Sequence, residues 1–95
     1  MTDRELLELA SKACGLEEAK MRIDFNQWNP LTDDGDALRL AVQLKMEVCV
    51  WDTVVTVLTP NNDISTLSEP ANGDLLAATR RAITRAAAEI GRNMK

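Results

Sequence analysis

Glu47-Val48-Cys49-Val50-Trp51-Asp52-Thr53-Val54-Val55-Thr56-Val57-Leu58-Thr59 is dense in β-branched side chains and stops at Pro60-Asn61-Asn62. A run of this length is long for a single strand in a small domain. The spacing therefore predicts a hairpin of two strands, 47–51 and 54–59, turning at Asp52-Thr53. A single bent strand is the alternative, because the turn contains neither glycine nor asparagine. The apolar character of both arms predicts a sheet covered on both faces rather than one.

Upstream lies Trp28-Asn29-Pro30-Leu31-Thr32-Asp33-Asp34-Gly35-Asp36-Ala37-Leu38-Arg39-Leu40-Ala41-Val42, a rigid, acid-rich loop joined directly to an amphipathic helix. Pro30 locks its own φ and keeps Asn29 out of the α region, so the chain is extended at Asn29 and turns afterwards. Thr32 or Asp33 caps the helix, and Asp34 and Asp36 place negative charge at the positive end of its dipole. The helix runs over about 33–45. Its inner stripe is Ala37, Leu38, Ala41 and Leu44, widened by Leu40 and Val42. Before the loop, Lys20-Met21-Arg22-Ile23-Asp24-Phe25 alternates polar and apolar residues, the period of a half-buried strand.

At the N-terminal side, Thr2-Asp3-Arg4-Glu5 has the form of a capping box, and Gly15 supplies a stop. A helix over about 3–14 follows, with Leu6, Leu9, Ala10 and Ala13 inward and Glu8 paired to Lys12 on the outside. Downstream of the hairpin, 60–73 reads as loop from its asparagine, serine and threonine content. The last helix starts near Asn72 or Asp74 and continues to about Asn93, with Leu75, Ala78, Ala82, Ile83, Ala86 and Ile90 at helical spacing. Its alanines favour helix and allow close approach to a neighbouring layer.

The order is thus α-β-α-β-β-α. Residues 1–95 form a single α+β domain, predicted as a three-layer α/β/α sandwich around a small, mostly antiparallel sheet.

With 45 % apolar and 27 % charged residues, the composition is that of a globular domain. Aromatic residues are scarce: Phe25, Trp28 and Trp51 are the whole set, so an exposed tryptophan would stand out. No apolar run is long enough to span a bilayer and the N-terminus lacks a secretory pattern, which predicts a cytoplasmic protein with no membrane partner. Cys14 and Cys49 have no C-x-x-C spacing and read as buried free thiols. The formal charge of −4 is unevenly placed. Residues 1–70 hold 13 acidic and 6 basic side chains, a balance of −7, and residues 71–95 hold 2 and 5, a balance of +3. Such polarity steers a partner or docks the last helix internally; the second is the commoner arrangement.

The Trp28–Val42 block and the helix Ala77-Ala78-Thr79-Arg80-Arg81-Ala82-Ile83, continued by Arg85-Ala86-Ala87-Ala88-Glu89-Ile90-Gly91, together resemble the phage ABA sandwich domain family. The start Met1-Thr2-Asp3-Arg4-Glu5-Leu6-Leu7-Glu8-Leu9-Ala10 adds to the likeness. The family consists of small proteins encoded by tailed bacteriophages and prophages. The resemblance covers about half the chain and implies a helix-sheet-helix sandwich and no catalytic residues. The chain departs from the family pattern at Lys45-Met46, where similar proteins have a glycine closing the second helix, and 47–72 resembles nothing in the family. That middle is where specificity for an individual partner is expected.

Asp33, Asp34 and Asp36 around Gly35 are acids at close spacing, but they lack the alternation and terminal glutamate of a calcium loop, so no metal is predicted. Trp28 and Asn29 form either an exposed contact or, more commonly for a tryptophan beside proline, a loop anchor. Arg81 and Arg85 share a helix face and Arg80 lies about 100° away. Their forks suit phosphate or carboxylate, and the sequence favours internal pairing with acids of the first helix or with Asp33, Asp34 and Asp36. Net acidity and the absence of a basic stripe with interleaved aromatics argue against nucleic acid. Histidine, tyrosine and a glycine-rich phosphate loop are all absent, so no enzyme activity and no cofactor are expected.

The leading expectation is a non-enzymatic phage or prophage accessory protein that binds a host protein, with inhibition of a defence system such as CRISPR as one form. The alternative is a small-molecule or nucleotide binder in which Arg80, Arg81 and Arg85 clamp an anion and Trp28 stacks. Binding candidates are Trp28, Asn29, Asp33, Asp34, Arg80, Arg81 and Arg85. A homodimer through the apolar hairpin edge is compatible with both.

Overall fold

The computed structural model describes residues 2–15, 28–59 and 66–94. The strand expected over 20–25, with Met21, Ile23 and Phe25 inward, lies outside the described residues. Within them the elements are α1 (Asp3–Ala13), α2 (Asp34–Gln43), β1 (Glu47–Val50), β2 (Val54–Leu58), β3 (Thr66–Pro70) and α3 (Leu75–Arg92). The class is α+β, and the described order is α-α-β-β-β-α.

The hairpin forms. β1 and β2 pair antiparallel with Val50 opposite Val55 and Val48 opposite Val57, and the Trp51 N–H donates to the Val54 carbonyl at 2.9 Å across the turn. The loop expected over 60–73 is corrected at 66–70: Thr66-Leu67-Ser68-Glu69-Pro70 is a third strand, antiparallel to β2, giving the order β1-β2-β3. Its composition resembles a loop because Pro70 is tolerated as the last residue of an edge strand, and only pairing with β2 reveals it.

Residues opposite one another share a face of a sheet, so Val48, Val50, Val55, Val57, Leu67 and Glu69 point one way. Val55 and Val57 on that face are fully buried and belong to a cluster with Ala78, Ala82, Ile83, Ala86 and Ala87 of α3. The opposite face, with Val54, Thr56 and Leu58, is half-buried, so among the described residues helix cover falls on one face. Among the described residues, α1 and α2 pack chiefly on α3, and α3 in turn packs on the sheet, which makes α3 the middle layer.

Small residues make this arrangement possible. A Cβ added to Gly91 would sit 1.9 Å from the Leu9 carbonyl oxygen, so α1 and α3 touch backbone to backbone there. Ala10 and Ala87, both completely buried, belong to the same packed cluster.

The helix ends follow local chemistry. Thr2 and Glu5 form the capping box: the Glu5 N–H donates to Thr2 Oγ1 at 3.2 Å and the Thr2 N–H to Glu5 Oε1 at 3.4 Å. Gly15 closes α1 at φ 67°. Leu7 takes the core position expected of Leu9, which is half-buried. The Glu8–Lys12 pair is also corrected: Glu8 meets Arg4 at 3.3 Å, and Lys12 Nζ donates to the Met94 carbonyl at 3.0 Å, tying the last turn of α1 to the segment after α3.

At α2, Asp33 is the cap, accepting from the Asp36 N–H at 2.8 Å. The buried stripe is Ala37, Leu40 and Ala41, with Leu44 partly buried; Leu38 and Val42 are 64 % and 68 % exposed, contrary to expectation. Each sits one residue, about 100°, beyond a buried position and so falls outside the i, i+3, i+4, i+7 stripe. Lys45 adopts φ 54°, and the Met46 and Lys45 N–H groups donate to the Ala41 and Val42 carbonyls at 2.9 and 3.1 Å. This is the left-handed closure usually given to glycine, performed here by a lysine.

Candidate functional site

The Trp28 loop is built inward. Trp28 is 6 % exposed and belongs to the core cluster, and Pro30 is fully buried. Asn29 organises the turn with three groups: its Oδ1 accepts from the Leu31 N–H at 3.0 Å, its carbonyl accepts from the N–H groups of Thr32 (3.1 Å) and Asp33 (2.9 Å), and its own N–H donates to Asp36 Oδ2 at 3.0 Å. Asp36, buried, also accepts from Arg39 at 2.9 Å. The three acids thus have separate tasks: Asp33 caps, Asp36 holds Asn29 and Arg39, and Asp34 receives Arg80.

Arg80 joins this network from α3. Its side chain is 19 % exposed, with Nε donating to the Leu31 carbonyl at 2.9 Å and a terminal nitrogen to Asp34 Oδ1 at 2.7 Å. Arg80 therefore pins the loop to the middle layer, and Trp28 offers no face for stacking. Asn29, Asp33, Asp34 and Arg80 thus belong to one network that fixes the loop beside buried Trp28, with Asp33 and Asp34 at its exposed edge.

Arg81 and Arg85 sit elsewhere, between α3, α1 and the sheet. Glu69 points from the inner face of β3 toward α3, and Arg85 donates to its Oε2 while Arg81 Nε stands 3.7 Å from Oε1. Arg81 also donates to Asp3 at 3.2 Å. The internal pairing favoured from sequence is thus met for Arg80 through Asp34 and for Arg81 through Asp3, and β3 adds Glu69.

The thiols differ from expectation in one case: Cys14 is buried and Cys49 half-buried, both free. Burial pushes the Cys14 thiol up from its ordinary range, outweighing its backbone hydrogen bond. Among the described residues, no three acidic, cysteine or histidine side chains gather closely enough to hold a metal ion, and no helix is long and apolar enough to cross a membrane.

The other tryptophan is placed oppositely. Trp51 follows β1 at the hairpin turn and is 61 % exposed, next to Val50, which is also exposed. The same end of the molecule carries the start of α3, because the Ala71 N–H donates to the Thr53 carbonyl at 2.9 Å and Leu75 and Leu76, both exposed, follow four residues later. Asp52 follows Trp51 and the cap residue Asp74 precedes Leu75 in the chain, and both are exposed. Sequence reasoning missed Trp51 as a site residue because it lies inside a valine-rich run. The available signal was its position beside the turn, where a strand end need not face the core.

No family model, curated protein or solved structure matches the chain. The class defined by the fold and these surfaces is a small α+β domain with a paired arginine-acid network at one region and an exposed tryptophan at the hairpin end at another.

Proposed function

We propose that the protein acts by binding another protein, with Trp51 as the centre of the contact. The observation that carries this reading is the exposure of Trp51 in a chain whose other tryptophan is buried. Tryptophan contributes disproportionately to binding because a large rigid surface is desolvated at low entropic cost, and leaving it in water is unfavourable in the free protein. Val50, Leu75 and Leu76 are exposed at the same end of the molecule, and Asp52 and Asp74 are their exposed acidic neighbours in the chain. The matching partner presents an apolar hollow bordered by lysine or arginine.

The resemblance to the phage ABA sandwich domain family supports a host protein in the bacterial cytoplasm as that partner, and inhibition of a defence component as the outcome. A non-enzymatic role fits, since the charged groups of the Trp28 loop and of α3 are engaged with one another.

Pull-down from a bacterial host lysate with wild-type protein, Trp51→Ser and the control Arg39→Gln tests the reading. A defined protein retained by wild type and Arg39→Gln and lost with Trp51→Ser is expected. Retention by all three, or by none, contradicts it.

A further inference from the structure

A separate surface carries chemistry that the hairpin end does not use. Leu6 of α1, Leu67 of β3, and Arg81, Arg85, Ala88, Glu89 and Arg92 of α3 line a groove of about 390 Å³. That volume is within the ~300–1,000 Å³ typical of small-molecule sites. At about 100° per residue, positions 81, 85 and 92 fall within roughly 40° of one another, so the three residues share one stripe of α3 about 16 Å long at the backbone.

Glu69 shows what this stripe accepts. Its carboxylate is bracketed by Arg81 and Arg85 with one oxygen toward each, and its side chain is only 13 % exposed. Two α3 arginines therefore already hold an oxyanion at the edge of the groove. Each guanidinium has five N–H donors, and among the described residues Arg85 uses one nitrogen on Glu69 and Arg92 one nitrogen on Glu89 at 3.3 Å. Donors remain on both for a second anion. The groove lining holds three arginines and the carboxylate of Glu89, Glu69 and Asp3 pair with Arg81 and Arg85 at its edge, and its apolar members are aliphatic. No aromatic side chain lines it.

We propose that this groove binds a small, non-aromatic polyanion carrying two or more phosphate or carboxylate groups, gripped by Arg85 and Arg92 with Arg81 behind them. Arginine forks match both oxyanions in geometry, so the shared chemistry defines the ligand and the probe identifies its source.

Isothermal titration with pyrophosphate, citrate and AMP, at ionic strength held constant with sodium chloride, provides the test. Wild type is expected to bind pyrophosphate or citrate more tightly than AMP; the tighter of the two identifies phosphate or carboxylate as the native group. Arg92→Gln, which loses only a neighbour on its own helix and whose fold is checked by circular dichroism, is expected to weaken binding about tenfold. Arg39→Gln on α2 is expected to bind as wild type does. Absence of heat with both polyanions up to about 10 mM, tighter binding of AMP, or equal affinity in Arg92→Gln and wild type overturns the proposal.

Discussion

Trp28 and Trp51 have the same side chain and opposite surroundings. Trp28 precedes a buried proline and a turn whose polar groups are consumed by Asn29, Asp33 and Asp36, and it is closed over by the core. Trp51 ends a strand at a hairpin turn and stands in water with Val50. The neighbourhood rather than the residue type assigns the role: a tryptophan whose adjoining backbone is tied inward by polar side chains becomes structure, and one at an open strand end becomes surface.

Substitutions can break or sharpen this contrast. Trp28→Ala carries the largest expected effect, a loss of about 3–5 kcal/mol in urea unfolding, because a large cavity opens in the core cluster to which Trp28 belongs. Gly91→Ala asks whether the tightly packed side of the contrast extends to the far end of α3. Its new methyl meets the Leu9 carbonyl, so α1 must shift, and a loss of about 1–3 kcal/mol is expected in the same assay.

Arg80→Gln breaks the link between the Trp28 loop and α3. Its mostly buried guanidinium bonds both the Leu31 carbonyl and Asp34, so a loss of about 1–2 kcal/mol is expected, and a smaller one either at high salt or in the background of Asp34→Asn. Lys45→Gly has the opposite sign. It removes a side chain from a left-handed backbone position at the exit of α2 and is expected to stabilise by about 0.5–1 kcal/mol, read as a raised urea midpoint. Trp51→Ser is expected to change stability by less than about 0.5 kcal/mol while removing partner binding.

Much of the fold was legible because its signals are local. The capping box, Gly15, the Asp33 cap and the valines of β1 and β2 each act within a few residues. β3 was hidden because Ser68, Glu69 and Pro70 have loop composition and become strand only through a ladder with β2. The face of α2 was blurred because apolar residues occupy adjacent positions 37, 38, 40, 41 and 42, and the packing on α3 selects among them. The layer order, with α3 in the middle, depends on the Gly91–Leu9 approach, which composition alone does not reveal.

The candidate site was legible in part. The arginine helix drew notice for its guanidinium spacing, yet Arg80 turns toward Leu31 and Asp34 whereas Arg81 and Arg85 turn toward Glu69. One residue along a helix separates a structural clamp from a groove wall. Arg92 escaped notice because it lies two turns beyond the cluster.

Acrylamide quenching of tryptophan emission, compared between wild type and Trp51→Phe, tests the contrast most directly. The account predicts that wild type contains one freely quenched and one protected emitter, and that Trp51→Phe leaves only a blue-shifted, protected signal from Trp28. A residual signal that is red-shifted and freely quenched would contradict it, since Trp28 would then be in water and the loop around it would not be the anchor of the fold.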